Sequence, residues 1–232
     1  MNATSYCGKF FLSRNEKPRG TKALLWMSKT IEHKEAPDVD EDMKHVRACQ
    51  KGDAEAFAFL VERHSKKMLN MAYRLLGDYD EACDVTQEAF LAAFRSIAGF
   101  KGGSKFSTWL CRIVINYARN RLKQRQRLSR QESISLDEAA GGQGGCAACL
   151  TASDESDPGE ILERRELESR VQKCISGLDE DYREVLVMRD IQGFSYEEIR
   201  QTLRIPDGTV KSRLSRARLA MKDCLKKIIG DL

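Results

Sequence analysis

Phe194-Ser-Tyr-Glu-Glu-Ile-Arg-Gln-Thr-Leu-Arg-Ile-Pro-Asp-Gly-Thr-Val-Lys-Ser-Arg-Leu-Ser-Arg-Ala-Arg218 is the stretch whose reading settles the fold class. Ser195 and Glu198 have the S-x-x-E spacing of a capping box, in which each side chain satisfies a backbone amide that the first helical turn leaves bare. The spacing predicts a helix through Ile199 and Leu203, a turn over Arg204–Gly208, and a second helix capped by Thr209. On that second helix Val210, Leu214, Ala217, Met221, Leu225 and Ile228 form a narrow apolar stripe. Lys211, Ser212, Ser215, Arg216, Arg218 and Lys222 lie on the opposite side. Helix, short turn and basic helix make a helix-turn-helix, with bases met by the start of the second helix and phosphates by the rest. An ordinary surface helix shows a similar stripe, but the capping box and turn ahead of it favour a reading helix.

Working upstream, Gly193 interrupts a helix that Asp179 is expected to cap, carrying Val185, Leu186 and Met188. Helical spacing resumes at Glu160. Residues 128–159 break the pattern with Gly141-Gly-Gln-Gly-Gly145 and Asp157-Pro-Gly159 and read as a flexible linker, whose roughly 30 residues could reach about 100 Å. Further upstream, Phe57, Leu60, Val61, His64, Met68, Met71, Ala72 and Leu75 share one helical face, ended by Gly77. A second helix from Asp80 carries Val85, Ala89, Phe90, Ala93, Phe94 and Ile97. A third places Phe106, Trp109, Leu110, Ile113, Val114 and Tyr117 on one face. Trp109 is expected in the core, while Phe106 is left as either core or stacking platform. No stretch alternates with period two, so the expected fold is all-α: two small helical domains, an N-terminal bundle and a C-terminal helix-turn-helix domain, joined by a flexible linker. Residues 1–40 show no periodicity and read as a disordered arm, within which Met27 resembles an ordinary start.

The total charge of this 232-residue chain is only +4, from 39 basic and 35 acidic residues, and says little. Its distribution says more. Between Ala89 and Gln131 there are ten basic residues and no acid. From Glu132 to Glu168 ten acids face two arginines, and from Arg204 to Lys227 eight basic residues face two acids. Two positive helical stretches are thus joined by a negative tether. Positive helices displace counterions from phosphate, which gives affinity that salt weakens. On the third helix Arg112, Asn116, Arg119 and Lys123 step by four, three and four into a stripe beside the apolar face. Asn and Arg can read base edges, aromatic rings can stack on bases, and Gly102-Gly103 let the preceding loop approach a backbone.

Other classes fit poorly. The longest N-terminal apolar run, Ala23–Met27, is too short for a signal peptide or a membrane span, so a cytoplasmic protein is expected. Six of the eight cysteines (Cys7, Cys49, Cys83, Cys111, Cys174 and Cys224) are scattered and read as reduced thiols. Cys146-Ala-Ala-Cys149 lies in a Gly/Ser/Asp stretch and not at a strand-to-helix junction, which argues against a thiol oxidoreductase. With His33, His45 and His64 remote in sequence, a zinc site there has only two obvious ligands. No catalytic arrangement, metal site, cofactor or small-molecule substrate is expected. The remaining alternative is a stand-alone helix-turn-helix transcriptional regulator, which leaves the acid-free third helix unexplained.

Four stretches carry a family resemblance. They are Gly52-Asp-Ala-Glu-Ala-Phe57, Asp84-Val-Thr-Gln-Glu-Ala-Phe-Leu91, Phe106-Ser-Thr-Trp-Leu-Cys-Arg-Ile-Val-Ile-Asn116, and Phe194–Ile199 continuing to Gly208–Arg218. In this order the chain resembles the extracytoplasmic-function sigma factors of the sigma-70 family, sigma-E-like, over residues 41–130 and 158–230. The resemblance implies a region 2 domain over 41–127, which binds polymerase and recognises and melts the minus-ten element, and a region 4 domain over 160–232, which recognises the minus-thirty-five element. Its implied partners are core RNA polymerase (clamp helices of the largest subunit, flap of the second-largest), promoter DNA and an anti-sigma factor, which could hold the chain at the inner membrane. Polymerase contacts map onto Asp80, Asp84, Gln87, Glu88 and Leu91. Minus-ten contacts map onto Lys105, Phe106, Arg112, Asn116, Arg119, Asn120 and Lys123. Minus-thirty-five contacts map onto Thr209, Lys211, Ser212, Arg213, Ser215, Arg216 and Arg218. A stress or envelope regulon is expected, as is weak promoter binding by the free chain. Two positions depart from the family pattern. Arg200 stands where a small residue is usual and has to extend outward, and Arg204 stands in a turn where Gly is frequent.

Overall fold

A computed structural model describes residues 39–132 and 158–229. The described residues form eight α-helices and no strand: α1 Val39–Gln50, α2 Glu55–Leu76, α3 Tyr79–Ser96, α4 Phe106–Glu132, α5 Pro158–Ser176, α6 Glu180–Leu186, α7 Tyr196–Leu203 and α8 Asp207–Ile229. A single 3₁₀ turn, Ile97–Gly99, follows α3, and a wide turn over Val187–Ile191 extends α6. There the Gln192 amide reaches back five residues to the Val187 carbonyl at 2.9 Å. No described helix is long and apolar enough to cross a membrane.

The N-terminal bundle is punctuated by short polar residues. Asp53 Oδ1 accepts from the Glu55 and Ala56 amides at 3.0 and 3.2 Å and so caps α2. Gly77 ends α2 in the left-handed region at φ 79°, with its amide on the Tyr73 carbonyl. Asp78 caps α3 through the Glu81 amide at 2.9 Å. Leu60, Met68, Met71, Ala82, Val85, Ala89, Leu110 and Val114 fill the space between these helices. Asp42 of α1 is buried there, taking hydrogen bonds from His64 Nε2 at 3.0 Å and Arg63 Nη1 at 3.1 Å. Burial pushes its carboxyl up, but His64 and Arg63 outweigh that and hold it below the usual carboxylate range.

In the C-terminal unit Ile175, Val185, Met188, Ile199, Val210 and Leu214 form the interior, which is continuous with that of the N-terminal bundle. Both halves of the expected capping box are present at Ser195 and Glu198. Arg204 ends α7 at φ 56°, the left-handed conformation that elsewhere favours Gly. Arg200 points outward onto Glu197.

Several expectations are corrected. Helix α4 runs on to Glu132 and α5 begins at Pro158, so helix enters both ends of the stretch read as linker. The end of α4 lacks an apolar stripe, yet Leu, Gln, Arg and Lys propagate a helix once it has started. Thr209 does not cap the last helix. That helix starts at Asp207, and the Thr209 amide bonds the carbonyl of Pro206, whose fixed φ already suits a helix start. Asp179 precedes α6 but makes no side-chain cap. Cys174 and Cys224 are not free thiols, because a disulfide joins α5 to α8 with Cα atoms 5.8 Å apart. The 1–40 arm up to residue 38, the middle of the linker and the Cys146/Cys149 pair lie outside the described residues.

Candidate nucleic-acid and polymerase interfaces

Helix α8 is seated by burial of Val210, Leu214, Ala217 and Met221, each no more than 6% exposed. That seat turns Lys211, Ser212, Ser215, Arg216 and Arg218 to solvent, with Thr209 and Arg213 half-buried beside them. Each cation is aimed by a local acceptor. Lys211 pairs with Asp207 at 2.6 Å, Arg213 with Asp181 at 2.6 Å, and Arg218 grips Asp190 with two bonds of 2.6 and 2.9 Å. Arg216 donates to the Tyr182 hydroxyl at 3.3 Å. Donating to Asp207 and Tyr182 holds the Lys211 ammonium and the Arg216 guanidinium above their ordinary pKa values. A row of fixed cations and two serines on one exposed face is suited to the edges and phosphates of a duplex groove.

The α4 stripe divides. Asn116, Asn120 and Lys123 are exposed. Lys105, Arg112 and Arg119 instead meet the C-terminal unit. Lys105 Nζ lies 3.0 Å from Glu198, and Arg112 donates to the Gln201 carbonyl. Arg119 makes two bonds of 2.5 and 2.6 Å to the buried carboxylate of Glu184. Glu184 holds the Arg119 guanidinium above its ordinary pKa, while burial keeps Glu184 itself above the carboxylate range against the pull of Arg119. Phe106 is 1% exposed, packed against His64, Phe100 and Trp109, and so presents no ring face for stacking in this arrangement. Trp109, expected in the core, is the half-buried ring of that cluster and packs against the core. Where α4, α6 and α8 meet, one open cleft is lined by Arg119 and Lys123 from one stripe, by Thr209, Ser212, Arg213 and Arg216 from the other, and by Asp179, Glu180, Asp181 and Tyr182 between them.

On α3, Asp80, Asp84, Gln87, Glu88 and Leu91 are all exposed, with Leu91 at 56%. Acids near the start of this helix also suit its dipole. Phe94, one of the apolar residues read on this helix, is 42% exposed and continues the Leu91 face by one helical turn. Phe59 of α2 is exposed too, stacked on His45. Phe94 was read only as one of the apolar positions of its helix, and Phe59 lies off the apolar face read for α2, so neither was singled out in the sequence. No group of three or more His, Cys, Asp or Glu among the described residues could hold a metal ion.

Comparison with known proteins finds two family models in order along the chain. Sigma-70 region 2 matches residues 60–128, and Sigma-70, region 4 matches residues 168–221. RNA polymerase sigma-H factor of Pseudomonas aeruginosa is 37% identical over 192 residues, covering 83% of this chain and 97% of that protein. ECF RNA polymerase sigma-E factor of Escherichia coli is 36% identical over 188 residues, covering 81% and 96%. Among solved structures, the sigma factor RpoE in complex with the anti-sigma factor NepR from Bartonella quintana shares the fold. Its TM-score is 0.57 at 23% identity, covering 75% of this chain and 98% of that one. Two region models in the family's order, and relatives of more than one-third identity aligned over four-fifths of the sequence, place this chain in the sigma-70 family as an extracytoplasmic-function RNA polymerase sigma factor.

Proposed function

We propose that this sigma factor directs core RNA polymerase to its promoters by dividing the reading between two helices. Helix α8 reads the minus-thirty-five duplex with Lys211, Ser212, Ser215 and Arg216, while Thr209, Arg213 and Arg218 add phosphate contacts. Helix α4 and the loop before it engage the melted minus-ten strand through Lys105, Arg112, Asn116, Arg119, Asn120 and Lys123, and buried Phe106 supports the start of that helix. Asp80, Asp84, Gln87, Glu88 and Leu91 of α3 meet the polymerase clamp helices, and the C-terminal unit meets the flap. Residues 41–127 and 160–232 are the two functional domains.

Phosphate contacts supply affinity without sequence choice. Choice comes from the α8 side chains at the duplex and from a captured base at the melted strand, whose unstacking costs a few kcal/mol. Polymerase contacts offset that cost, so the free chain binds promoters weakly. The chain performs no catalysis of its own, works in the cytoplasm, and is restrained by an anti-sigma factor.

The observation that carries this reading is the pair of cationic helix faces on α4 and α8, one in each matched region. A stand-alone helix-turn-helix regulator leaves the region 2 match over residues 60–128 without a purpose. Run-off transcription with core polymerase on a genomic promoter library tests the proposal. Discrete start sites that depend on the chain are expected, and transcripts no different from core polymerase alone would refute it.

A further inference from the structure

Arg204 is the one non-glycine residue with a positive φ among the described residues, at 56°. It ends α7, and only Ile205 and Pro206 separate it from the start of α8 at Asp207. A residue ahead of proline is pushed towards extended backbone, so the reversal of the chain falls on Arg204. Gly takes up the left-handed conformation without a clash and Asn eases it with local hydrogen bonds, whereas an arginine bears the contact between Cβ and the following carbonyl oxygen. The Arg204 side chain is exposed, and nothing among the described residues accepts from its guanidinium. Neighbouring cations are each held: Arg200 by Glu197, Lys211 by Asp207 and Arg213 by Asp181. A residue kept in a strained conformation with its charged group free is the pattern of a binding position.

We propose that Arg204 grips a backbone phosphate of the minus-thirty-five duplex, on the strand bordering the groove that α8 enters. This deepens the reading of α8 given above and rests on it. In a helix-turn-helix the first helix crosses the DNA backbone while the start of the second lies in the major groove, so the turn between them stands at the groove's edge. Arg204 occupies that turn, one helical turn beyond Arg200 and three residues ahead of Asp207. Bonds to Glu197 and, more weakly, the charge of Asp207 hold the Arg200 guanidinium above its ordinary pKa, which puts the first residue of α8 on the same flank as α7's outer row. Asp207, the nearest acid in sequence, is taken by Lys211 at 2.6 Å and does not draw Arg204 away from a phosphate. The planar guanidinium can meet two phosphate oxygens with parallel bonds. Such a contact adds affinity and fixes the angle of α8 in the groove, while the choice of bases stays with the α8 side chains.

The test uses the full chain assembled with core polymerase, as wild type, Arg204→Gly, Arg204→Asn and Arg204→Lys. Electrophoretic mobility gives affinity for a promoter duplex, and for the same duplex with its minus-thirty-five element scrambled, across a salt series. Thermal unfolding of the free chain checks the fold. Gly and Asn both accept the left-handed turn, so the Gly variant backs up the Asn variant, and the reverse, if either unfolds early. Both are expected to weaken the two duplexes by the same factor and to lower the log–log salt slope by about 0.9, so that the wild-type advantage shrinks about 3.5-fold between about 50 and 200 mM salt. Arg204→Lys keeps the charge and is expected to restore the slope, which a merely structural role for Arg204 would not require. Folded Gly and Asn variants with the wild-type slope would overturn the phosphate contact, as would a loss confined to the intact element. A wild type that binds intact and scrambled duplexes equally would instead refute the reading of α8, and this contact with it.

Discussion

Reduction of the Cys174–Cys224 disulfide should loosen the C-terminal unit by an amount fixed by chain topology. The bond spans 50 residues of sequence and joins α5 to α8 across the whole helix-turn-helix. In the chain-entropy description, closing a loop of that length removes about 14 cal/mol/K from the unfolded ensemble, which stabilises the fold by about 4 kcal/mol at 25 °C. With a urea slope of about 2 kcal/mol/M, the transition of this unit moves down by about 2 M when the bond is cut. The assay is hydrogen exchange of α6 to α8 amides along a urea series, with and without dithiothreitol. The Cys224→Ser variant serves as a form in which this bond cannot form, and alkylation of the unfolded, unreduced chain should leave Cys174 and Cys224 unlabelled until reduction. Wild type should match the variant in reductant and exceed it without. Coincident transitions for oxidised and reduced wild type, or eight labelled thiols without reductant, would refute the reasoning.

Other perturbations follow from the same contacts. Arg216→Ala should weaken minus-thirty-five duplex binding by the polymerase complex by about 1–3 kcal/mol, roughly 5- to 150-fold, and less on unrelated duplex, as electrophoretic mobility at fixed salt would show. Gly77→Ala forces an L side chain into φ 79° and sets its Cβ 2.8 Å from Ser176 Oγ of α5. A loss of about 1–2 kcal/mol from the backbone alone is expected by thermal unfolding, with extra loosening of α5 from α2. Asp42 has a folded-state pKa below its unfolded value of about 4, so its contribution is complete above that value and is lost as the pH falls through the folded-state pKa. Asp42→Asn should therefore flatten the fall in urea midpoint between about pH 5 and pH 2. Leu91→Ala should weaken co-migration with core polymerase while leaving minus-thirty-five duplex binding unchanged.

The helical fold and the exposed cationic face of α8 were legible because they rest on local rules. Ser195 and Glu198 specify a capping box within four residues, and the Val210–Met221 stripe specifies which side faces out. What depends on long-range packing was not legible. Nothing in the spacing of Cys174 and Cys224 shows that α5 and α8 bring them together. Phe94 and Phe106 are both aromatic residues on apolar helical faces, yet one is exposed and the other is sealed under Trp109 and Phe100. Arg119 reads as an exposed basic residue until Glu184, 65 positions away, is placed against it. The run past Arg127 has no apolar stripe, so only helix propensity carries α4 on to Glu132.

The division of labour between α4 and α8 is tested most directly by footprinting one promoter with core polymerase and three forms of the chain: wild type, Asn116→Ala and Lys211→Ala/Arg216→Ala. The account predicts that Asn116→Ala keeps protection of the minus-thirty-five duplex but loses permanganate-reactive thymines in the minus-ten element. The double variant should lose the upstream protection first and recover opening when polymerase is supplied in excess. Equal loss of both signatures in both variants, or retention of both, would contradict it.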